Sequence, residues 1–327
     1  MKIFFYFLRE YDELKYCERY AKEFGIAFSW TSEYPTMDTV GLAAGADAVS
    51  MTPCEVSAEM IEAWHEMGVS CICCRSIGYD HVDREAAKRL GMRVSNVYYP
   101  PDGVANYAIM MMLMLSRRIK QIMDRAAVQD YSLKGKIGQD LSSSVVGVIG
   151  TGKIGTCVIR HLSGFGCRIL AFDPFPNEEA ARYAEYVSMD TLLGEADYIT
   201  LHANATEGNY HLLDAEAFSR MKTGVSVVNT ARGKLIDTAA LIDALESGKA
   251  GGAALDVLEK EDGLYYYNRV GDVIVNQEMA VLRSFPNVIL TPHTAFYNEE
   301  NVGWFVKSVF ESADGFDRGV PSGHEVV

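Results

Sequence analysis

The feature that most limits what this chain can become is Gly150-Thr151-Gly152-Lys153-Ile154-Gly155. A G-x-G-x-x-G spacing alone is weak, because many turns reuse glycine. Here it follows Val145-Val146-Gly147-Val148-Ile149, a buried-strand sequence, and opens a stretch of helical spacing over residues 154–165. In that setting each glycine has a task. The first permits a tight turn, the second lets a pyrophosphate approach the backbone, and the third lets helix and strand pack closely, while the helix N-terminus offers N–H groups to the anion. An acidic residue is then expected about twenty residues on, at the end of the next strand. Asp173 stands there, after Ile169-Leu170-Ala171-Phe172. Its carboxylate would accept hydrogen bonds from a ribose 2′-OH and repel a 2′-phosphate, so the expected cofactor is NAD rather than NADP.

One such unit does not use up the chain. With 327 residues, more than one hydrophobic core is expected. Upstream, apolar runs at 2–8, 26–30, 48–50, 71–74 and 93–95 read as strands, and 12–24, 58–65 and 84–90 carry helical spacing. Alternating strands and helices imply parallel pairing and an α/β domain. Tyr99-Pro100-Pro101-Asp102-Gly103 is the clearest breaker, and one long helix, with a dense Met and Leu face, is expected from 105 to 125. A second α/β series follows, with strands at 144–149, 168–172, 198–201, 226–229, 253–255 and 288–290, helices at 154–165, 215–221 and 238–247, and a last helix over 298–317.

Composition narrows the function. Thirty basic against 44 acidic residues leave a net charge of −14, which disfavours nucleic acid and anionic membranes as partners. Residues 1–8 are too short for a secretory segment, and the apolar run 109–115 is far short of a bilayer span. Seven cysteines include Cys71-Ile72-Cys73-Cys74, without a second Cys/His pair at a zinc-like spacing. Reduced thiols in a buried strand, no metal, and a reducing compartment such as the cytoplasm are expected.

Three residues stand at predicted strand ends of the second series. Arg232 follows Val227–Ala231, Glu261 lies shortly after Ala253–Leu255, and His293 follows Val288–Pro292. Ligands of doubly wound sheets bind beyond the carboxyl ends of the strands. An arginine can clamp a carboxylate, a histidine can exchange a proton, and a carboxylate can keep that histidine protonated. Singly each reads as an ordinary surface residue; jointly they favour catalysis. His65, His81, His161, His211 and His324 sit in amphipathic, loop or terminal settings and read as surface groups, while His202 at a strand end could line the cofactor cleft.

With Asn229-Thr230-Ala231-Arg232-Gly233, Ala254-Leu255-Asp256-Val257, Thr291-Pro292-His293-Thr294-Ala295-Phe296 and Arg75-Ser76-Ile77-Gly78-Tyr79-Asp80 added, nearly the whole chain resembles the D-specific 2-hydroxyacid dehydrogenases. The Glu259/Glu261 pair and His-Thr-Ala-Phe-Tyr resemble the D-lactate and D-2-hydroxyisocaproate branch. The resemblance implies two Rossmann-like doubly wound domains. The NAD domain, 100–298, would be inserted into a flavodoxin-like substrate domain, 1–99 and 299–327, with a hinge and a closing cleft between them. It implies that Arg232 binds the substrate carboxylate and carbonyl, that His293 is the general acid/base, and that Glu261 rather than Glu259 is its partner. Ile77 and Gly78 would offer amides to the carboxylate, with Tyr99, Met51 and Phe296 around the substrate. Gly150, Gly152, Lys153, Ile154, Gly155, Asp173, Ala203, Asn204, Asn209, Thr230, Ala231 and Asp256 would touch the cofactor. His202-Ala203-Asn204 departs from the His-Val-Pro or His-Thr-Pro of many relatives, on the adenine side. The helix after Gly103 would meet a second subunit in a homodimer.

The expectation is reversible, metal-free reduction of a 2-oxo acid to the D-(R)-2-hydroxy acid with NADH, favouring bulky apolar acids such as 2-oxoisocaproate or phenylpyruvate. The alternative within the class is a D-lactate dehydrogenase acting on pyruvate. The alternative of another class is an NAD(H)-sensing corepressor-like binding protein. Such proteins carry terminal extensions, whereas this sequence starts at its first strand and stops soon after its last helix.

Overall fold

Alternating apolar and amphipathic runs become parallel strands and covering helices in the computed structural model, which describes residues 1–261 and 263–327. They form two units, Met1–Pro100 with Tyr297–Val327, and Pro101–Phe296. Elements are numbered in chain order.

In the first unit β1 (Lys2–Phe5), β2 (Ala27–Trp30), β3 (Ala48–Met51), β4 (Cys71–Cys74) and β5 (Arg93–Ser95) pair in parallel in the order β2-β1-β3-β4-β5. This is the flavodoxin-like order, with its topological switch between β1 and β3. Helices α1 (Leu14–Phe24), α2 (Ala58–Glu66) and α3 (Arg84–Arg89) and the C-terminal helix (Glu299–Asp317) cover the sheet. Every residue of β4 is buried, as a central parallel strand requires. Its cysteines are free thiols, and burial pushes that of Cys74 up to about 12. The first strand ends at Phe5 rather than residue 8, because the chain turns at Phe7, with φ 46°.

The second unit contains α4 (Asp102–Ser116), α5 (Ile119–Ala127), β6 (Val145–Ile149), α6 (Lys153–Leu162), β7 (Arg168–Phe172), β8 (Glu185–Tyr186), α7 (Met189–Glu195), β9 (Tyr198–Leu201), α8 (Ala215–Arg220), β10 (Val225–Asn229), α9 (Thr238–Glu246), β11 (Ala250–Leu255), α10 (Gln277–Ser284) and β12 (Val288–Leu290). Its seven parallel strands run β12-β11-β10-β9-β6-β7-β8. The order reverses between β6 and β9, which places a ligand crevice beyond their carboxyl ends. The expected helix 105–125 is two helices. Arg118 adopts the left-handed conformation, φ 52°, and restarts the chain as α5. The methionine face of α4 is core, with Met111 and Met112 packed among Val148, Val158 and Ala254.

Candidate active site

The cofactor end is assembled by two loops that touch. Gly150 has φ +93°, and a Cβ there would lie 2.6 Å from Ala203 N and from His202 C, so the turn after β6 lies directly on the chain leaving β9. A Cβ on Gly155 would meet Gly150 O at 1.9 Å, which closes α6 onto the turn. A Cβ on Gly152 would meet nothing within 4 Å: the turn is open there, on the side where a pyrophosphate would approach. Asp173 Oδ2 accepts from Thr151 N at 2.7 Å and Oδ1 from Phe175 N at 2.8 Å, which orients its carboxylate at the end of β7. Ala203 and Asn204 leave β9, and Asn209 spends its side chain inside that loop, accepting from Thr206 N and donating to Asn204 O, both at 2.7 Å. These residues fit a dinucleotide. The ring of His202 bonds Thr200 Oγ1 at 2.9 Å, and burial holds its pKa down at about 3, so it is neutral and no proton donor at working pH.

The catalytic candidates come from the ends of β10, β11 and β12. After β10 the side chain of Asn229 pins the turn, accepting from Ala231 N and donating to Arg232 O, both at 2.9 Å. The Arg232 guanidinium donates to Ala231 O at 2.8 Å. A Cβ on the next residue, Gly233, would collide with the backbone of Leu258 and Glu259, so the Arg232 turn and the loop after β11 are in backbone contact. That loop delivers Glu261, whose Oε2 accepts from Leu258 N at 2.8 Å and whose Oε1 faces His293 Nδ1 at 2.7 Å. Both side chains are about one-fifth exposed, 22% for His293 and 21% for Glu261, which leaves the outer face of the imidazole open to a ligand. Phe296 meets the His293 ring edge-on, with centroids 6.2 Å apart, and Tyr266 lies at 5.9 Å.

Asp256 and His211 do work that the sequence did not disclose. Asp256, expected beside the cofactor, is fully buried. Its carboxylate accepts from Thr291 Oγ1 at 2.5 Å, Thr294 N at 2.9 Å and Ala295 N at 2.8 Å. No part of it is exposed to a cofactor; it fixes the loop in which His293 holds a left-handed φ of 53°. His211, expected as an ordinary surface group, pairs with Glu259 at 2.8 Å, and Glu259 also accepts from Thr238 Oγ1 at 2.8 Å. Burial raises the Glu259 carboxyl, but the His211 and Thr238 bonds outweigh it and hold it below its ordinary range. This second His–Glu pair braces the β11 loop and keeps Glu259 away from His293. The resemblance assigns Glu261 to His293, but nothing in the sequence assigns His211 to Glu259.

In the first unit the candidates cluster at carboxyl ends of strands. Arg75, at the end of β4, is buried and donates to the carbonyls of Tyr6 and Phe7, each at 2.8 Å, and pairs with the buried Glu13 at 3.1 Å. It ties β1 and β4 together beneath the Ile77–Gly78 loop, whose carbonyls accept from Asn96 Nδ2 and Ser76 Oγ. Tyr99 follows β5 and is 9% exposed. Met51 is the exception: at the end of β3 it is fully buried among Tyr6, Val56 and Cys74. The expected pocket residue is a core residue, because the β3 end is covered from both faces.

A glycine turn at a sheet's switch point, a carboxylate oriented at the end of the next strand, and a histidine–carboxylate pair on a loop in backbone contact with an arginine turn are the layout of a dinucleotide-dependent oxidoreductase. The comparisons agree. Residues 109–295 match the family model of the D-isomer specific 2-hydroxyacid dehydrogenase NAD binding domain. The chain is 37% identical over 320 residues to an aromatic 2-oxoacid reductase of Clostridium sporogenes, covering 97% of this chain and 96% of that protein. It is 38% identical over 330 residues to a D-lactate dehydrogenase of Escherichia coli K12, covering all of both. The solved structure of a D-2-hydroxyisocaproate dehydrogenase superposes with a TM-score of 0.89 at 33% identity, over 100% of this chain and 99% of that one. The chain belongs to the D-isomer specific 2-hydroxyacid dehydrogenase family and is an NAD-dependent oxidoreductase that interconverts 2-oxo and D-2-hydroxy acids. Among the described residues no helix is long and apolar enough to cross a membrane.

Proposed function

We propose that this enzyme reduces 2-oxo acids carrying bulky apolar side chains, such as phenylpyruvate or 2-oxoisocaproate, in preference to pyruvate. The carrying observation for the chemistry is the 2.7 Å contact of His293 Nδ1 with Glu261. It leaves Nε2 as the nitrogen that hands a proton to the substrate's carbonyl oxygen, while the carboxylate stabilises the imidazolium. Arg232 neutralises the substrate carboxylate and the developing alkoxide, against a chain of net charge −14. Bound NADH supplies the hydride that reaches the substrate's C2. Gly150, Gly152, Lys153, Ile154 and Gly155 would hold its pyrophosphate, and Asp173 its ribose. Ala203, Asn204, Asn209, Thr230 and Ala231 would line its remaining surface. Ile77 and Gly78 are the proposed amide donors to the substrate carboxylate.

One observation supports the side-chain preference. The neighbours of His293 are aromatic, Phe296 and Tyr266. Each methylene buried on binding adds about 0.8 kcal/mol. The test is kcat/KM across phenylpyruvate, 2-oxoisocaproate, pyruvate and oxaloacetate. The bulky acids should lead, by roughly 10-fold or more over pyruvate, with oxaloacetate poor; pyruvate in first place would make the enzyme a D-lactate dehydrogenase.

We also propose a cytoplasmic homodimer. All seven cysteines are free, as a reducing compartment permits. Helix α4 spends most of its apolar face on the core, but Met110, Met123, Val128, Tyr131, Leu133 and Ile137 on α4, α5 and the following loop are exposed, and a second subunit would take that apolar surface out of water. Sedimentation should give twice the chain mass; a monomer at micromolar concentration would contradict it.

A further inference from the structure

Away from the reaction, Asp102, Cys157 and His161 bring three metal-binding atoms together on the outside of the glycine-turn helix. Cys157 and His161 are four residues apart on α6 and share one face; Asp102 is the first residue of α4, which packs on α6. Cys157 is buried within an otherwise apolar core cluster, and Asp102 opens the site to water. Sγ of Cys157 lies 3.6 Å from His161 Nε2 and 3.7 Å from Asp102 Oδ1, and His161 Nε2 lies 3.4 Å from Asp102 Oδ1. A tetrahedral zinc ion, with bonds of about 2.0–2.1 Å to nitrogen and oxygen and about 2.3 Å to sulfur, has ligand–ligand edges of about 3.3–3.6 Å. The three atoms already stand at the corners of such a face. Among the described residues this is the one cluster of its kind.

We propose that Asp102, Cys157 and His161 form a binding site for Zn²⁺ or a similar borderline-soft divalent cation, with water in the fourth position. The thiol, histidine and carboxylate set selects against Ca²⁺ and Mg²⁺, which take oxygen ligands. On binding, the thiol gives its proton to solvent and its sulfur bonds the metal as thiolate; no oxidation state changes. The ion clamps the start of α4 to α6 and takes no part in hydride or proton transfer. Arg160 is its competitor. One guanidinium nitrogen lies 3.4 Å from both Asp102 Oδ1 and Cys157 Sγ, and the other lies 3.6 Å from Glu179. The side chain is nearly half exposed, so it can turn to Glu179 and vacate the site.

Chelator-treated enzyme is titrated with Co²⁺, whose thiolate charge-transfer absorption in the near ultraviolet reports a bond to sulfur. One Co²⁺ per chain is expected, displaced by Zn²⁺. Cys157→Ser abolishes the absorption, and His161→Ala weakens binding by more than roughly 100-fold, beyond what loss of an outer-shell partner costs, with NADH oxidation retained. Arg160→Ala, at an exposed residue that does not threaten folding, tightens binding several-fold because the competing cation is gone. Absence of the absorption in the parent enzyme, its survival in Cys157→Ser, or weaker binding in Arg160→Ala would overturn the proposal.

Discussion

Gly233 and Leu258 touch backbone to backbone: a Cβ on Gly233 would lie 2.1 Å from the carbonyl carbon of Leu258. The turn that carries Arg232 and the loop that carries Glu261 are therefore spaced by the absence of one methyl group. Gly233→Ala must push them apart. A displacement of about 1 Å at a catalytic group can cost roughly 10²-fold, so kcat should fall by that order, while NADH affinity, measured by fluorescence titration, stays near the parent value.

Asp256 should behave as a positioning residue. In Asp256→Ala the buried amide of Ala295 loses its acceptor, at roughly 1–3 kcal/mol, and the part-buried amide of Thr294 loses its own. The denaturation midpoint should fall, and kcat should fall further than NADH affinity, because the His293 loop is what loosens. Asp256→Asn, which keeps an acceptor oxygen, should recover part of both. Intact stability in the alanine variant would remove the residue from this role.

Cofactor choice rests on Asp173, whose oxygens are held by the amides of Thr151 and Phe175. A 2′-phosphate brought against this fixed carboxylate meets a like-charge penalty of several kcal/mol, so kcat/KM should favour NADH over NADPH by roughly 10²-fold or more. Asp173→Ala should narrow that ratio, and equal use of both cofactors by the parent enzyme would contradict it.

Cys17, Cys54 and Cys74 should be slow to react in the folded chain. Burial pushes the Cys17, Cys54 and Cys74 thiols up to about 12, so their thiolate fraction grows only as pH approaches that value. A thiol-titrating reagent near neutral pH should find these three after unfolding; fast labelling of Cys17, Cys54 or Cys74 in the native protein, located by peptide mapping, would contradict this.

Much of this was readable before any coordinates, for identifiable reasons. The glycine turn, Asp173, Arg232, Glu261 and His293 sit at strand ends, where a doubly wound sheet must present its chemistry, and short fixed spacings expose them. Partners brought together from distant segments were not readable: His211 with Glu259, Arg75 with Glu13, and Asp256 with the Thr291–Ala295 turn. Met51 misled because the end of a strand can be cupped by core as easily as it can face a ligand. Helix α10 is not legible in the sequence because it buries only Leu282 and shows little periodicity, and α7 is not because seven residues containing Gly194 carry too short a pattern. The break between α4 and α5 falls at Arg117-Arg118, without glycine or proline to announce it.

The central claim is that His293, held by Glu261, moves the proton. The measurement that reaches it most directly is kcat for 2-oxo acid reduction at saturating NADH in the parent enzyme, His293→Ala and Glu261→Gln, with NADH affinity followed by fluorescence titration. His293→Ala should lose roughly 10²–10⁴-fold in kcat while NADH affinity stays near the parent value. Glu261→Gln, which removes the carboxylate from the Nδ1 side of the imidazole, should lower kcat as well. A His293→Ala variant with near-parent kcat would contradict the account.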